Sequence, residues 1–232
     1  FYLDARKCVL HVSFRDSSLF LSPPATLESY ENVRSSKIDA VVAIIQHHTK
    51  SPNRPPLNMT WEDARSISPT SYELDVSKVP DSPDKIVMYS SFPEHNQFLK
   101  ACLAFYNINT LEIHGKKSAA QRAATLRQFR TSSDAVVLIV SNVGTTGLNL
   151  DCANILIIAD LLWSKQDELQ LIGRVWRRPQ PKQVIVYRLI ALDSPDQFLN
   201  NLSWGKASMH ESFLGKKSVL SKSKFNVQIC KT

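Results

Sequence analysis

Glycine and cysteine are scarce in this chain, and long hydrophobic runs are absent. It has six glycines and four cysteines among 232 residues. Cys8, Cys102, Cys152 and Cys230 show no zinc-ligand spacing and lie in or beside apolar segments. We therefore expect buried thiols of a reducing compartment and no metal site. No apolar run approaches the roughly 20 residues that a membrane span needs, so no membrane partner is expected.

Two motifs that hold a nucleotide and its metal are also lacking. The chain has no Gly-x-x-x-x-Gly-Lys-Ser/Thr loop, because residues 115–118 and 215–218 lack the upstream glycine and its spacing. No Asp-Glu pair ends a buried strand, as a magnesium site would require. The chain also begins without Met and without a secretory signal, which predicts a fragment of a longer protein.

The composition is that of a basic, globular chain. Hydrophobic residues make up 43% of it, enough to bury a substantial core in one large domain. Lys and Arg number 28 against 21 Asp and Glu, for a net charge of +7. This excess favours a polyanionic partner such as nucleic acid, with a basic surface that serves only solubility as the alternative.

Apolar runs alternate with helical patterns from residue 85 onward. Strands are predicted over 86–89, 110–113, 136–140, 155–158 and 184–190, and helices over 93–106, 118–129, 165–178 and from 194 to about 209. Because the strands lack polar alternation, both faces of the sheet must be covered. The sequence therefore predicts an α/β fold, with a parallel sheet and helices on both faces.

The rest of the chain is less regular and predicts a division into three parts. Residues 1–36 form an N-terminal extension with a short strand over 9–14 and a short helix over 26–33. Residues 37–200 form the domain, which opens with a helix over 37–49 capped by Ser36 and carries a proline-rich insertion at 50–84 outside the core. Residues 201–232 form a helix end and a basic tail, frayed from Gly215. The three histidines His47, His48 and His95 are expected at the surface or at helix ends.

One helix carries the sharpest functional signal. Gln170, Arg174 and Arg177 are spaced i, i+4, i+7 and would share one face of the helix over 165–178. Two guanidinium groups on one stripe suit the phosphates of a nucleotide bound opposite, at the carboxyl edge of the sheet, where ligands of open α/β sheets bind. An ordinary solvated basic helix end is the alternative.

Other loops that follow the strands also suit phosphate or a base, and each has a plain structural alternative. The loop over 141–150 contains two glycines and the hydroxyls of Ser141, Thr145 and Thr146, or is a simple turn. The segment 114–117, which includes His114, Gly115 and Lys116, is an anion site or a charged loop. Ser90 and Ser91 bind phosphate or cap a helix, and Trp163 stacks on a base or packs at a rim.

Several segments in a fixed order resemble one known family. Residues 85–92 resemble motif IV of this family, and residues 141–150 resemble its motif V. Between them, residues 113–115 with Gln121, Arg122 and Phe129 resemble the conserved block that follows motif IV. Asp160 to Trp163 resembles the tryptophan motif, and residues 170–180 resemble motif VI, with 186–189 behind it. Together they resemble the C-terminal RecA-like lobe of superfamily-two helicases of the Swi/Snf type, which are DNA-dependent ATPases. The likeness covers roughly residues 36–200, with the insertion as a gap.

The resemblance implies a role for each matching position. Arg174 and Arg177 would be arginine fingers that reach ATP, whose phosphates and Mg²⁺ are held mainly by a first lobe outside this sequence. Gln170 would couple that site to nucleic acid, and Gly147 and Asn149 would lie near the ribose. The backbone of duplex DNA would be gripped by Ser90, Ser91, His114, Gly115, Lys116, Ser141, Thr145 and Thr146, with Trp163 in the groove. The partners implied are the first lobe, DNA and chromatin, in the nucleus, and this lobe alone would be inactive.

The sequence also departs from the family pattern. Val143, Thr145 and Thr146 stand where glycines are usual, and Trp176 stands where a histidine is usual before the second finger. Pro179 lies near the position of a usual glycine, and Lys165 replaces a proline. Two hypotheses therefore remain: a lobe of an active DNA translocase, or a non-catalytic nucleic-acid-binding or scaffolding lobe of a decayed ATPase. A small-molecule α/β enzyme is disfavoured, because no acid–base or nucleophile constellation is present.

Overall fold

The computed structural model describes residues 2–15, 23–58, 68–69, 80–134, 136–141, 147–203 and 226–230. Two short strands, β1 (Leu57–Asn58) and β2 (Ser68–Pro69), pair antiparallel within the insertion. The central sheet contains β3 (Ile86–Tyr89), β4 (Thr110–Ile113), β5 (Val137–Val140), β6 (Ile155–Ile158), β7 (Val184–Arg188) and β8 (Asn226–Cys230). Its strand order is β4-β5-β3-β6-β7-β8. Strands β3 to β7 are mutually parallel and β8 runs antiparallel to β7.

The predicted parallel α/β sheet is confirmed, and β3, β4 and β6 have the predicted bounds. The central strands β3 and β6 are apolar and fully buried, as fits a sheet covered on both faces, whereas the edge strand β4 contains Thr110 and Glu112 and is only partly buried. The expectation that the tail frays from Gly215 onward is wrong for residues 226–230, which pair with β7 in a register that joins Val184 to Cys230. Residues 226–230 form a strand because they pair with β7, so their own sequence pattern does not reveal the strand.

The helices lie on both faces of this sheet. They are α1 (Tyr2–Leu10), a 3₁₀ turn (Val12–Arg15), α2 (Leu27–Glu31), α3 (Ser36–Lys50), α4 (His95–Phe105), α5 (Ala119–Thr131), α6 (Lys165–Val175) and α7 (195–203). Ser118 caps α5 as predicted, through a capping box with Gln121. The cap of α3 is Ser35, one residue before the prediction, because its hydroxyl accepts the amide of Ile38.

Alternate strand residues feed two hydrophobic clusters, one on each face. On one face, Ile86, Met88, Ile139 and Ile157 pack with Ile38 and Ile45 of α3 and with Phe98, Leu99 and Cys102 of α4. On the other face, Val87, Leu138, Leu156 and Ile158 pack with Phe129 of α5 and with Leu171, Ile172 and Val175 of α6. Each fully buried aliphatic or aromatic side chain stabilises the fold by about 1.5–3 kcal/mol.

Four expectations about the flanking segments and buried groups need correction. Residues 9–14 form the end of α1 and a 3₁₀ turn instead of a strand, since a six-residue alternation is too short to decide between the two. The insertion is not wholly outside the core, because Leu57 is 2% exposed and its amide donates to the Tyr187 hydroxyl at 2.9 Å. The three histidines His47, His48 and His95 are buried, and Cys8 and Cys152 are only half-buried.

Two further properties of the described ranges bear on possible ligands. None of their helices combines the length and the apolar character that crossing a membrane requires. No three His, Cys, Asp or Glu side chains in these ranges converge as metal ligands.

Candidate nucleotide and nucleic-acid sites

The parallel strands bring most of the predicted DNA-contacting residues to one edge of the sheet. Ser90 and Ser91 follow β3, His114 to Lys116 follow β4, and Ser141 follows β5. Tyr89, the last residue of β3, pairs with the last residues of both β5 and β6, so these loops start at the same level. We call these six residues (Ser90, Ser91, His114, Gly115, Lys116 and Ser141) the carboxyl-edge group. Thr145 and Thr146 lie outside the described residues.

Asp160, at the end of β6, holds two of these loops together. Its carboxylate accepts the Ser90 hydroxyl at 2.8 Å and the Ser91 amide at 3.1 Å, and it lies 3.5 Å from the His95 ring nitrogen Nδ1. Burial raises the pKa of Asp160, but the facing His95, the charge of Lys37 and the Ser90 hydroxyl outweigh burial and lower it to about 2. The carboxylate is therefore ionised at neutral pH and orders the loop after β3.

The members of the carboxyl-edge group differ in how far they reach solvent. Gly115 and Lys116 are exposed, and Ser91 and His114 are half-buried. Ser90 and Ser141, which are predicted to bind phosphate, are buried. Both residues are buried because each directly follows a fully buried strand, and the Ser90 hydroxyl donates to the Asp160 carboxylate. The Ser141 hydroxyl has no hydrogen-bond partner in the described part of the chain.

Trp163 is half exposed, at 50%, in the turn between β6 and α6. The guanidinium carbon of Arg6 lies 4.8 Å from the centroid of the Trp163 ring, and the centroids of the Tyr2 and Trp163 rings are 5.7 Å apart. The Arg6 side chain also donates to the Leu161 carbonyl at 2.6 Å. Helix α1 thus packs against the tryptophan turn, a contact that the sequence pattern did not reveal.

Helix α6 runs from the carboxyl edge of the sheet back past the start of β6. Glu168, in its first turn, forms a buried ion pair of 2.6 Å with Arg188, the last residue of β7. At its other end, the Arg174 carbonyl accepts the amide of Leu150, which lies in the turn before β6. The expectation that Arg174 and Arg177 sit at the carboxyl edge is therefore wrong, because a helix after a parallel strand runs antiparallel to it.

The helix also ends earlier than predicted. It stops at Val175, so Arg177 lies in the following turn and does not continue the helical stripe of Gln170 and Arg174. The coming Pro179 explains the stop, since the residue before a proline is disfavoured in helical conformation. Arg174 is half-buried, and Gln170 and Arg177 are exposed. Within the described ranges, neither Arg174 nor Arg177 uses its guanidinium group in a hydrogen bond or ion pair.

The end of the motif V loop lies beside this helix end. Gly147 is exposed and has a positive φ of 77°. Asn149 is half-buried, and its side-chain amide donates to Asp151 at 3.1 Å. Arg130 of α5 binds both the Asn149 carbonyl, at 2.9 Å, and the Asp151 carboxylate, at 2.5 Å. We call Gly147, Asn149, Arg174 and Arg177 the helix-end group.

Sequence reasoning missed the residue that holds the helix-end group in place. The side-chain amide of Gln180, which is 8% exposed, donates to the carbonyls of Asp151 and Ala153 at 2.7 Å each. Its backbone amide donates to the Arg177 carbonyl at 2.8 Å. Gln180 thus ties the turn carrying Arg177 to the turn before β6. A glutamine placed directly after a proline and close to two arginines was the available signal.

Comparison with known proteins shows which family the lobe resembles. Residues 74–179 match the family described as Helicase conserved C-terminal domain. The chain is 35% identical over 116 residues to DNA repair protein rad8 of Schizosaccharomyces pombe, covering 50% of this chain and 10% of that protein. It is 26% identical over 156 residues to ATP-dependent helicase fft3 of the same yeast, covering 67% of this chain and 17% of that protein.

A solved structure agrees with these relatives. The C-terminal part of the Fun30 ATPase domain matches with a TM-score of 0.50 and 28% identity, over 52% of this chain and 39% of that one. The chain spans only 10% to 17% of the length of the two curated relatives above. The matched segment contains the predicted motifs IV, V and VI up to Pro179. By sequence and by fold, residues 74–179 and the sheet around them are therefore similar to the C-terminal, RecA-like lobe of superfamily-two helicases of the Swi/Snf type.

Proposed function

We propose that this lobe supplies Arg174 and Arg177 to ATP bound by a first lobe, and that it grips duplex DNA through the accessible residues of its carboxyl-edge group and Trp163. The observation that carries the proposal is the position of the two groups at opposite ends of α6. The turn holding Trp163 precedes the helix, and at the other end the Arg174 carbonyl accepts the amide of Leu150, the residue after Asn149. One rigid element therefore joins a surface suited to DNA to a surface suited to a nucleotide.

The helix-end group fits the phosphates of a nucleotide. Both guanidinium groups are without an internal partner in the described ranges, and an arginine fork binds phosphate oxygens in a bidentate manner. In phosphoryl transfer such groups stabilise the charge that develops on the transferred phosphoryl group. ATP with its Mg²⁺ supplies the phosphoryl group and comes with the first lobe. Gly147 and Asn149 would border the ribose, and Gln170 would link this site to the DNA side.

The carboxyl edge fits a nucleic-acid backbone. Lys116 and Gly115 are exposed there, Ser91 and His114 are partly accessible, and Trp163 offers an open aromatic surface. Contacts of this kind bind phosphates and set register without reading sequence. Ser90 contributes indirectly, because its bond to Asp160 orders the loop that carries Ser91. The net charge of +7 favours the same partner.

Helix α6 would couple the two surfaces mechanically. Its 11 residues span about 16 Å at the usual rise per residue. Its first turn is held to β7 by the Glu168–Arg188 pair, and its last turn to the Leu150 amide. Closure of two lobes on ATP and reopening after hydrolysis would therefore move the DNA-gripping edge together with the fingers, as gating motions do in other enzymes.

The test uses the protein that contains both lobes and measures ATP hydrolysis with and without duplex DNA. Arg174→Ala and Arg177→Ala should each lower the DNA-stimulated turnover by about 10³-fold, the lower range for an arginine finger. DNA affinity should stay within about twofold, because neither residue lies at the DNA surface. Arg178→Ala is the matched control, since this exposed arginine is adjacent and should keep full turnover.

Each outcome decides between hypotheses. Unchanged turnover in both arginine variants rejects the finger assignment. A two-lobed protein that binds DNA but never hydrolyses ATP supports the non-catalytic scaffolding lobe instead. The isolated chain should show negligible hydrolysis, because half of a composite site cannot pre-organise the transition state. A robust rate from it would contradict the proposal.

We also propose a nuclear location and action on chromatin. The support is the likeness to a DNA repair protein and to an ATP-dependent helicase, together with the basic charge. Imaging of the tagged protein in its own cells checks the location, and cytoplasmic retention contradicts it. Comparing turnover on naked duplex and on nucleosomes checks the substrate, and stimulation by naked DNA alone contradicts a chromatin role.

A further inference from the structure

We propose that Arg6 is a positioning residue for Trp163: its guanidinium group holds the indole in the orientation that meets the DNA. This makes helix α1 part of the DNA-binding surface, although it precedes the segments that match the family. The inference rests on the proposed function, in which Trp163 contacts DNA.

The surroundings of Arg6 are unusual for a cation. Arg6 is only 2% exposed, and within the described ranges no carboxylate forms an ion pair with its guanidinium group. Instead, its guanidinium carbon lies 4.8 Å from the Trp163 ring centroid and 5.4 Å from the Phe92 ring centroid. One nitrogen donates to the Leu161 carbonyl. A buried charge is costly unless it is compensated, so the two aromatic faces and this carbonyl are what stabilise it.

These contacts act on the orientation of the indole. Leu161 and Trp163 belong to the same short turn, in which the Leu161 side chain is 1% exposed while Trp163 is 50% exposed. Arg6 binds the backbone of this turn and covers the ring, and the tilted Tyr2 ring adds a second contact. The indole is thereby fixed from the protein side, and its remaining surface is open to a ligand.

Helix α1 is itself held to the lobe, so it can serve as a support. Lys7 forms an ion pair of 2.7 Å with Glu94 and lies 5.7 Å from the Phe92 ring centroid. Leu10 is fully buried in the core. The Tyr2 hydroxyl donates to the Pro195 carbonyl at 3.4 Å. Arg6 is therefore delivered to Trp163 by a helix fixed at both ends.

The experiment compares Arg6→Gln with Lys7→Gln in this chain. Lys7 is the matched control, because it lies on the same helix, carries the same charge and faces Phe92 but not Trp163. Duplex affinity is measured by fluorescence anisotropy at low ionic strength. Arg6→Gln should weaken binding about tenfold, because an indole that is no longer held in place must be ordered when DNA binds, and Lys7→Gln should weaken it less than threefold. In a Trp163→Ala background, Arg6→Gln should add no loss beyond that of Lys7→Gln.

A spectroscopic measurement separates positioning from a general loss of structure. The chain has four tryptophans, and labelling with 5-fluorotryptophan gives each a ¹⁹F resonance, with Trp163→Phe assigning the relevant one. Arg6→Gln should shift the Trp163 resonance without DNA and leave those of Trp61, Trp176 and Trp204 in place. If Arg6→Gln does not fold, Arg6→Lys decides, with an expected loss of about threefold and the same selective shift, because lysine cannot reproduce the planar fork.

The two ideas can fail separately. If Trp163→Ala leaves DNA affinity unchanged, the DNA role of Trp163 in the proposed function is wrong. If Trp163→Ala weakens binding but the folded Arg6 variants match Lys7→Gln in affinity and keep the wild-type Trp163 resonance, the positioning role of Arg6 is overturned and the DNA role stands.

Discussion

Replacing Asp160 with asparagine should destabilise the lobe at neutral pH and much less in acid. The carboxylate is 2% exposed, accepts the Ser90 hydroxyl and the Ser91 amide, and faces His95. Its pKa is lowered from 3.8 to about 2, and one pKa unit corresponds to about 1.4 kcal/mol. The ionised form therefore contributes about 2 kcal/mol to the free energy of unfolding at pH 7.

The sign of the pKa shift sets the pH window. A lowered pKa means that the contribution is complete above the pKa of an unfolded aspartate, near 4, and is lost as the pH falls towards about 2. Urea denaturation of the wild type and of Asp160→Asn, from pH 7 down to pH 3, measures the difference directly. The difference in the free energy of unfolding between the two proteins should be about 2 kcal/mol at pH 7. It should become smaller below pH 4, because a protonated Asp160 lacks the negative charge, as asparagine does.

A control and a clear contrary result complete this test. Asp134→Asn removes an exposed carboxylate that accepts the neighbouring Ser133 hydroxyl, so its effect should stay within about 0.5 kcal/mol at every pH. A gap between wild type and Asp160→Asn that is equally large at pH 3 and pH 7 would refute the argument. So would the absence of any gap at pH 7.

Three further predictions follow from other contacts. Glu168→Gln should lower the free energy of unfolding by about 3 kcal/mol, because it removes the carboxylate from a buried ion pair with Arg188. Glu168→Met combined with Arg188→Met should recover most of this loss in thermal denaturation, and equal losses would contradict the argument. Gly147→Ala should lower the free energy of unfolding by about 1 kcal/mol, because the φ angle of Gly147 is positive. Gly173→Ala should raise it by about 1 kcal/mol, because alanine favours the helix and the new methyl group meets nothing within 4 Å. Urea denaturation measures both, and changes of the same sign would contradict the prediction. Lys116→Gln should weaken duplex binding and reduce the slope of log affinity against log salt by about 1, and an unchanged slope would remove Lys116 from the contact.

The strands and their loops could be predicted because short segments rich in apolar and β-branched residues alternate with longer helical patterns. Ile86–Tyr89, Thr110–Ile113 and Ile155–Ile158 were predicted with the bounds that the structure has. Since parallel strands end at one edge, the convergence of Ser91, His114 and Ser141 was predictable too. The cap of α5 at Ser118 was readable because a capping box is a local signal.

Predictions failed where long-range contacts decide. The sequence between Val9 and Phe14 is compatible with a strand, but Leu10 is buried in the core by a helix. Arg174 and Arg177 were expected on one helical stripe, and the turn at Val175 separates them. Ser90, a candidate for phosphate binding, is buried and its hydroxyl donates to Asp160, 70 residues away.

The order of the motifs and the pattern of apolar runs were sufficient by themselves for the family and the sheet, because both depend on residues close together in the chain. Which polar groups face each other was decided only in three dimensions: Arg6 against Trp163, Glu168 against Arg188 and Gln180 against the turn before β6. The physical reason is that burial and pairing of a polar side chain depend on partners that are distant in sequence, and no local pattern records those partners.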